Sequence, residues 1–285
     1  MVRTSREGVL LTSARRVRID SRRRSFPDLR ELLRYRQLIW LFGRRDLTVR
    51  YRQTVLGTLW VFAGPIVSAG LFTLVFGTVA DLPTDGVPYF VFSYAGLLAW
   101  NFFSGVLSGA SNSLTGNAGL ITKVYFPRLV IPIATMASTL VNTLISFGML
   151  LVLLPLSGVG YSVEMVTLPL WMLLALALGM GVALIVTSLA VSYRDVNYLT
   201  PLMTQVLMWI SPVAYSLEAV PANLRDLYLL NPLTSIVEGC RWAILGGDRL
   251  PPAWAIAYTL FVTIAVMLTG LVVFARRETV FADVI

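Results

Sequence analysis

Six long stretches of the chain carry no charged residue: 53–80, 86–122, 129–163, 165–193, 196–217 and 250–275. Apolar residues dominate each stretch, and each is long enough for the roughly 20-residue helix that crosses a bilayer's hydrocarbon core. A charge at mid-membrane costs at least a few kcal/mol. Six such gaps therefore predict an all-α integral membrane protein. Its six transmembrane helices are expected near 58–79, 88–110, 129–154, 168–192, 199–217 and 253–274.

The rest of the chain divides around these spans. Residues 1–24 form a basic arm without periodicity, read as disordered. Residues 25–57 hold a cytoplasmic amphipathic interface helix and its lead-in to the first span. Ser25, Pro27 and Asp28 make a helix start. Leu29, Leu32, Leu33, Ile39 and Trp40 approximate one apolar stripe, flanked by Arg30, Arg34, Arg44 and Arg45. That pattern places the helix 25–42 flat in the membrane interface, with a cytosolic helix packed on a partner as the plainer alternative. Residues 58–275 form the six-helix domain, and 276–285 a cytoplasmic tail. Within that domain, 218–252 contains two apolar runs too short to span (227–230 and 236–245), charges at Arg225, Asp226, Glu238 and Arg241, and a break at Asn231-Pro232. We expect two short re-entrant helices between spans five and six, packed on protein in the outer leaflet. A plain extracellular loop is the alternative.

Composition agrees, at 56% hydrophobic and 13% charged. The net charge of +8 is unevenly placed. Residues 1–58 hold 15 of the 23 basic residues, all arginine. With both ends in the cytoplasm, only Arg225, Arg241 and Arg249 fall outside, so the positive-inside rule selects an N-in, C-in orientation. The partner of the basic arm is then an anionic leaflet rather than a nucleic acid. No apolar run follows the first arginines, so no cleavable signal peptide is expected.

Chemistry is excluded more readily than assigned. The chain has no histidine and one cysteine, Cys240, which removes the commonest metal ligand, the usual proton shuttle and any internal disulfide. Its one lysine, Lys123, sits in Thr122-Lys123-Val124, so the Gly-Lys-Ser/Thr step of a phosphate-binding loop is missing. No acid falls within a predicted span, which argues against ion-coupled transport. No catalytic residue, cofactor site or metal site is expected. Energy for moving a cargo then comes from another subunit, received through inner loops such as 111–128 and Arg194-Asp195. Glu238 and Arg241, three apart, are placed to pair on one helix face.

Several short motifs point further. They are RDLTVRYRQTVLGTLW at 45–60 with Pro65 beyond it, NAGLITKVYFPR at 117–128 with Pro132, and Tyr193-Arg194-Asp195-Val196. SPVAY at 211–215 and Leu230-Asn231-Pro232-Leu233 ahead of Glu238 and Arg241 complete the series. In this order the chain resembles ABC-2 type permeases that export polysaccharides. The resemblance implies a homodimer in the bacterial cytoplasmic membrane, bound to two copies of a separate nucleotide-binding ATPase that carries the ATP and Mg. It implies a lipid-linked cargo such as O-antigen, teichoic acid, capsule or galactan. It sets the interface helix, Leu120, Thr122, Lys123, Tyr125, Phe126 and Arg128 against the ATPase, with Arg194 and Asp195 beside them. It sets the re-entrant segment, with Asn231, Pro232, Glu238 and Arg241, at the outer mouth. One departure is that Thr122-Lys123 stands where relatives often carry two basic residues.

Under that reading, aromatic faces suit the C–H faces of sugars. Trp60, Tyr94, Trp100, Phe102, Phe103, Trp209 and Tyr215 become channel-lining candidates, against the ordinary collection of aromatics at membrane interfaces. Arg44, Arg45, Arg50 and Arg52 stand where a pyrophosphate-linked lipid head would arrive, and arginine contacts phosphate bidentately. Topology and anionic lipid are the plainer uses of these arginines. Two rival functions remain open: drug or small-lipid efflux by an ABC-2 permease, and a membrane-embedded glycan transferase.

Overall fold

The computed structural model describes residues 29–52, 59–84, 86–121, 126–193, 195–247 and 250–278. Among them every regular element is a helix. Two lead in: α1 (Leu29–Arg34) and α2 (Arg36–Arg52). The helix expected over 25–42 is therefore broken at Tyr35 and runs on to Arg52; residues 25–28 lie outside the described residues. Its apolar stripe is also divided. Leu32 is buried, while Leu33 and Trp40 are each 70% exposed. Gly43 faces α7 (Val130–Leu156) so closely that a Cβ there would stand 2.8 Å from the Ala137 methyl.

Five apolar segments are long enough to span: Val61–Val79, Tyr89–Ser111, Val130–Leu156, Val163–Ala190 and Ala253–Arg277. The first begins in α3 (Leu59–Phe72) and continues as a wider π-helical stretch over Thr73–Val79, where the Ala80 amide reaches back five residues to the Val75 carbonyl (3.0 Å). The second is α4 (Tyr89–Ser111), followed by the short turns α5 (Ser113–Gly116) and α6 (Ala118–Ile121). The third is α7. The fourth is a short 3-10 lead, Val163–Thr167, and α8 (Leu168–Ala190).

The span expected over 199–217 is helical only as α9 (Val196–Ile210). Its 15 residues rise about 22 Å, short of the roughly 30 Å hydrocarbon core. The physical cause is Ser211-Pro212. A residue before proline is pushed from helical to extended backbone, and Ser211 is extended (φ −88°, ψ 141°). The segment 218–252 forms two short helices, α10 (Ala222–Leu229) and α11 (Pro232–Leu245), before α12 (Ala253–Arg277).

α4 is the central helix. Every residue from 91 to 100 is buried, enclosed by α3, α7, α8, α9 and α11. α12 packs on α8 at backbone distance. A Cβ on Gly181 would lie 2.8 Å from the Met267 backbone, and one on Gly270 would overlap the Gly181 carbonyl. Without water to drive helices together, such small-residue contacts supply the association.

Replacing Gly270 by valine should therefore destabilise the detergent-solubilised protein by about 1–3 kcal/mol, the usual overpacking cost. Gly148→Ala, where a Cβ meets nothing within 4 Å, should be neutral or slightly stabilising. Thermal unfolding followed by tryptophan fluorescence measures both.

Candidate functional site

α3, α4 and α7 meet along a groove of about 420 Å³. α3 contributes Val61, Gly64, Pro65 and Ser68, which share one helical face. α4 presents Tyr94, Leu98, Asn101, Gly105, Ser108 and Gly109; α7 presents Thr139, Asn142, Thr143 and Ser146. Glycine and serine leave the space open, and hydroxyl and carboxamide groups make its walls polar. No charged side chain lines it among the described residues. The Tyr94 hydroxyl donates to the Ser146 carbonyl (3.2 Å) and Thr143 to the Thr139 carbonyl (2.9 Å). Polar groups inside a membrane face protein or a water-filled space. The groove is thus suited to water or to a hydroxylated ligand. No group of His, Cys, Asp or Glu able to hold a metal occurs among the described residues.

A second cluster holds the irregular backbone that follows α9. The guanidinium of Arg241 donates to the carbonyls of Tyr215 (3.0 Å) and Val213, and to the Glu238 carboxylate (2.9 Å). It also lies 4.1 Å from the centroid of the Phe92 ring. Glu238 accepts the Leu217 amide, and Tyr89 donates to the Ala214 carbonyl (2.6 Å). Asn231 caps α11 by accepting the Leu233 amide, and its own NH2 donates to Ser211 (2.9 Å). Arg241 fits only because residue 96 is glycine: a Cβ there would overlap the guanidinium and stand 2.6 Å from the Val213 carbonyl. Cys240, fully buried beside this cluster, has its thiol pushed up by burial.

A third cluster gathers Arg45, Arg128 and Arg277 where several helix ends meet. Arg45 donates to Asn117 (2.6 Å) and lies 5.5 Å from the Phe42 ring centroid, and Phe42 packs on Phe126. Arg128 binds Glu278 through its backbone amide (3.1 Å) and its side chain. Arg277 donates to Ser192, and Thr187 to the Ala110 carbonyl (2.8 Å). The last turns of α4, α8 and α12 and the first turn of α7 thus meet at one end, beside α2.

The sequence-predicted residues distribute unevenly over these clusters. Tyr94, Trp100, Phe102 and Phe103 are buried in the chain's own core, and of them Tyr94 also edges the groove. Trp209 is half exposed, and Tyr215 donates to the Trp209 carbonyl (3.1 Å). Asn231, Pro232, Glu238 and Arg241 come together. Leu120, Phe126 and Arg128 stand at the basic end, Arg44 and Arg45 are exposed there, and Asp195 is exposed just ahead of α9. Thr122, Lys123, Tyr125 and Arg194, and the side chains of Arg50, Arg52 and Trp60, lie outside the described residues. The groove's polar residues were missed in the sequence. Their signal was present as hydroxyl and amide positions at helical spacing: Asn101 with Ser108, and Thr139, Asn142, Thr143 and Ser146.

A polytopic helical bundle with a polar, uncharged intramembrane groove is the frame of a membrane transport protein. Residues 37–245 match the ABC-2 type transporter family, and the chain belongs to that family. It is similar to the O-antigen export system permease protein RfbA of Myxococcus xanthus, with 29% identity over 90% of this chain and 98% of the relative. It is also similar to the polysialic acid transport protein KpsM of Escherichia coli, with 25% identity over 82% and 91%. The capsule polysaccharide export inner-membrane protein CtrC of Neisseria meningitidis is 22% identical over 87% and 94%. The protein is a multi-pass permease of the bacterial inner membrane.

Two outcomes test the Arg241 cluster. Arg241→Met leaves the Glu238 carboxylate buried alone and should cost about 3–5 kcal/mol, whereas Glu238→Gln with Arg241→Met should recover much of that loss; thermal melts of the two variants decide. Cys240 should resist maleimide in the folded protein and react promptly in SDS, because the thiolate is the nucleophile. Gel-shift labelling over time reads this.

Proposed function

We propose that this chain is the membrane-spanning permease subunit of an ABC transporter that exports lipid-linked polysaccharide across the cytoplasmic membrane. A separate nucleotide-binding ATPase drives it. One observation carries the reading: three otherwise apolar spans turn hydroxyl and carboxamide groups into a shared groove. Hydroxyl-rich chains need such hydrogen-bonding walls, which an apolar drug or a lipid tail does not. The family and the names of its relatives agree with this cargo. The missing phosphate-binding loop agrees with an external source of energy.

Two copies assemble around the pathway, with two ATPase copies below. Each chain crosses six times, N-in and C-in. α9 with the extended residues after it is the fifth crossing, and α10 and α11 are re-entrant at the outer mouth. Four observations support this arrangement. The last turns of α4, α8 and α12 and the first turn of α7 lie together beside α2, with Arg45, Arg128 and Arg277 among them. α11 is buried within the protein, as a non-spanning membrane segment must be. α9 exposes Leu202, Met203, Val206 and Trp209, an apolar face that lipid or a second copy covers. Phe126 and Arg128 lie at that same end, beside α2 and Glu278, the side we assign to the ATPase. The exposed Arg44 and Arg45, with Arg50 and Arg52, receive the pyrophosphate head before the glycan enters.

Purified with its ATPase and reconstituted in nanodiscs, the chain should hydrolyse ATP several-fold faster when lipid-diphosphate-linked glycan is added. In proteoliposomes it should move that glycan. A complex with active ATPase that never moves glycan overturns the assignment. Arg44→Gln should raise the half-saturating glycan concentration by about three- to tenfold with little change in maximal rate, the loss expected when one charge-assisted phosphate contact is removed.

A further inference from the structure

The groove sets hydroxyl and carboxamide groups among apolar ones such as Val61, Pro65 and Leu98 and carries no charge among its described lining residues, and this restricts the polymer that can use it. Ser68, Ser108, Thr139 and Thr143 carry hydroxyls, and Asn101 and Asn142 carboxamides. Each of these groups both donates and accepts, as sugar hydroxyls do. A carboxylate or phosphodiester in the same place would need a cation, and anion-conducting pores supply one with lysine or arginine. The described cations lie elsewhere. Arg45 and Arg128 are at the basic end, held by Asn117 and Glu278. Arg241 is fully buried and committed to Glu238 and two backbone carbonyls. An unpaired charge in a low-dielectric passage meets a desolvation barrier that a neutral sugar does not.

We propose that the groove between α3, α4 and α7 is the passage for the glycan units and that it selects neutral, hydroxyl-rich chains over polyanionic ones. Anionic charge in the cargo is confined to the lipid diphosphate head, which the arginines at the basic end receive. This selection rests on the export reading above and narrows its cargo.

The test uses the complex of the chain with its ATPase in nanodiscs. Cys240, buried and unreactive, leaves the background silent. Ser68→Cys and Asn101→Cys report on the groove. Leu144→Cys, on the outward face of α7 where Leu144 is 66% exposed, is the lipid-facing control. A small cationic methanethiosulfonate should modify the two groove thiols at least about tenfold faster than the control, because a thiolate does not form in hydrocarbon. A lipid-diphosphate-linked neutral hexose polymer should slow that modification and stimulate ATP hydrolysis. The same polymer bearing a uronic acid in every repeat should do both at least about tenfold less. If the groove thiols react no faster than the control, the groove is not the passage. If both polymers act within about twofold of each other, the selection is wrong while the export reading stands. If neither polymer stimulates hydrolysis or is carried, the export reading falls, and the selection with it.

Discussion

A peptide group without a hydrogen-bond partner is intolerable in hydrocarbon, and the bundle is organised around the extended stretch that follows α9. Pro212 ends α9 early, and the carbonyls of Val213, Ala214 and Tyr215 are left without helical donors. α4 and α11 answer them with Arg241 and Tyr89, and Glu238 takes the Leu217 amide. The packing around that stretch follows from this repair. α11 must lie inside the protein to deliver the guanidinium. α4 must carry glycine at 96 to admit it and Phe92 to cover it. Asn231 must start α11 where it can also reach Ser211. A charge that would be costly alone is acceptable here because its two terminal nitrogens meet two carbonyls and a carboxylate, and the Phe92 ring lies 4.1 Å from it.

The same physics separates the two ends of the bundle. Arginines collect where helix ends meet the aqueous phase and are tied there by amide and carboxylate partners. Between the ends, α3, α4 and α7 share a wall of hydroxyl and carboxamide groups. The proposed cargo, with an anionic head and a sugar body, would meet charge at one end and uncharged polar groups within. On the export reading proposed above, the chain is the conduit and a separate ATPase drives it.

Much of this was legible in the sequence, because absence of charge over 20 or more residues is a signal that hydrocarbon enforces directly. Five of the expected spans are helices of sufficient length, and the expected pair of short helices divided at Asn231-Pro232 is present as α10 and α11. The Glu238–Arg241 pair followed from its three-residue spacing. Three readings fared differently, each for a physical reason. The span over 199–217 counted residues beyond Pro212 as helical, although proline forbids helical backbone before it. The interface helix was drawn as one stripe, but Tyr35 breaks it and Gly43 turns part of that stripe toward α7. The aromatic cluster of α4 was proposed to line a channel, and Trp100, Phe102 and Phe103 are core because α4 is surrounded. Periodicity reveals which residues share a face; it does not reveal which faces are covered when every neighbour is apolar. The groove escaped notice because single Ser, Thr and Asn residues barely alter local hydropathy, and only their convergence from three helices gives them meaning.

The glycine contacts between α8 and α12 also divide the molecule mechanically. With Gly181 and Gly270 at backbone distance, those two helices behave as a single plank that cannot slide without collision. α4 is locked to the plank along its length. By contrast α3 buries Ala69 and α9 buries Thr200 among their described residues. Relative movement within the bundle is therefore easier for α3 and α9 than for the block of α4, α8 and α12. The groove, whose third wall is α3, borders that loosely held side.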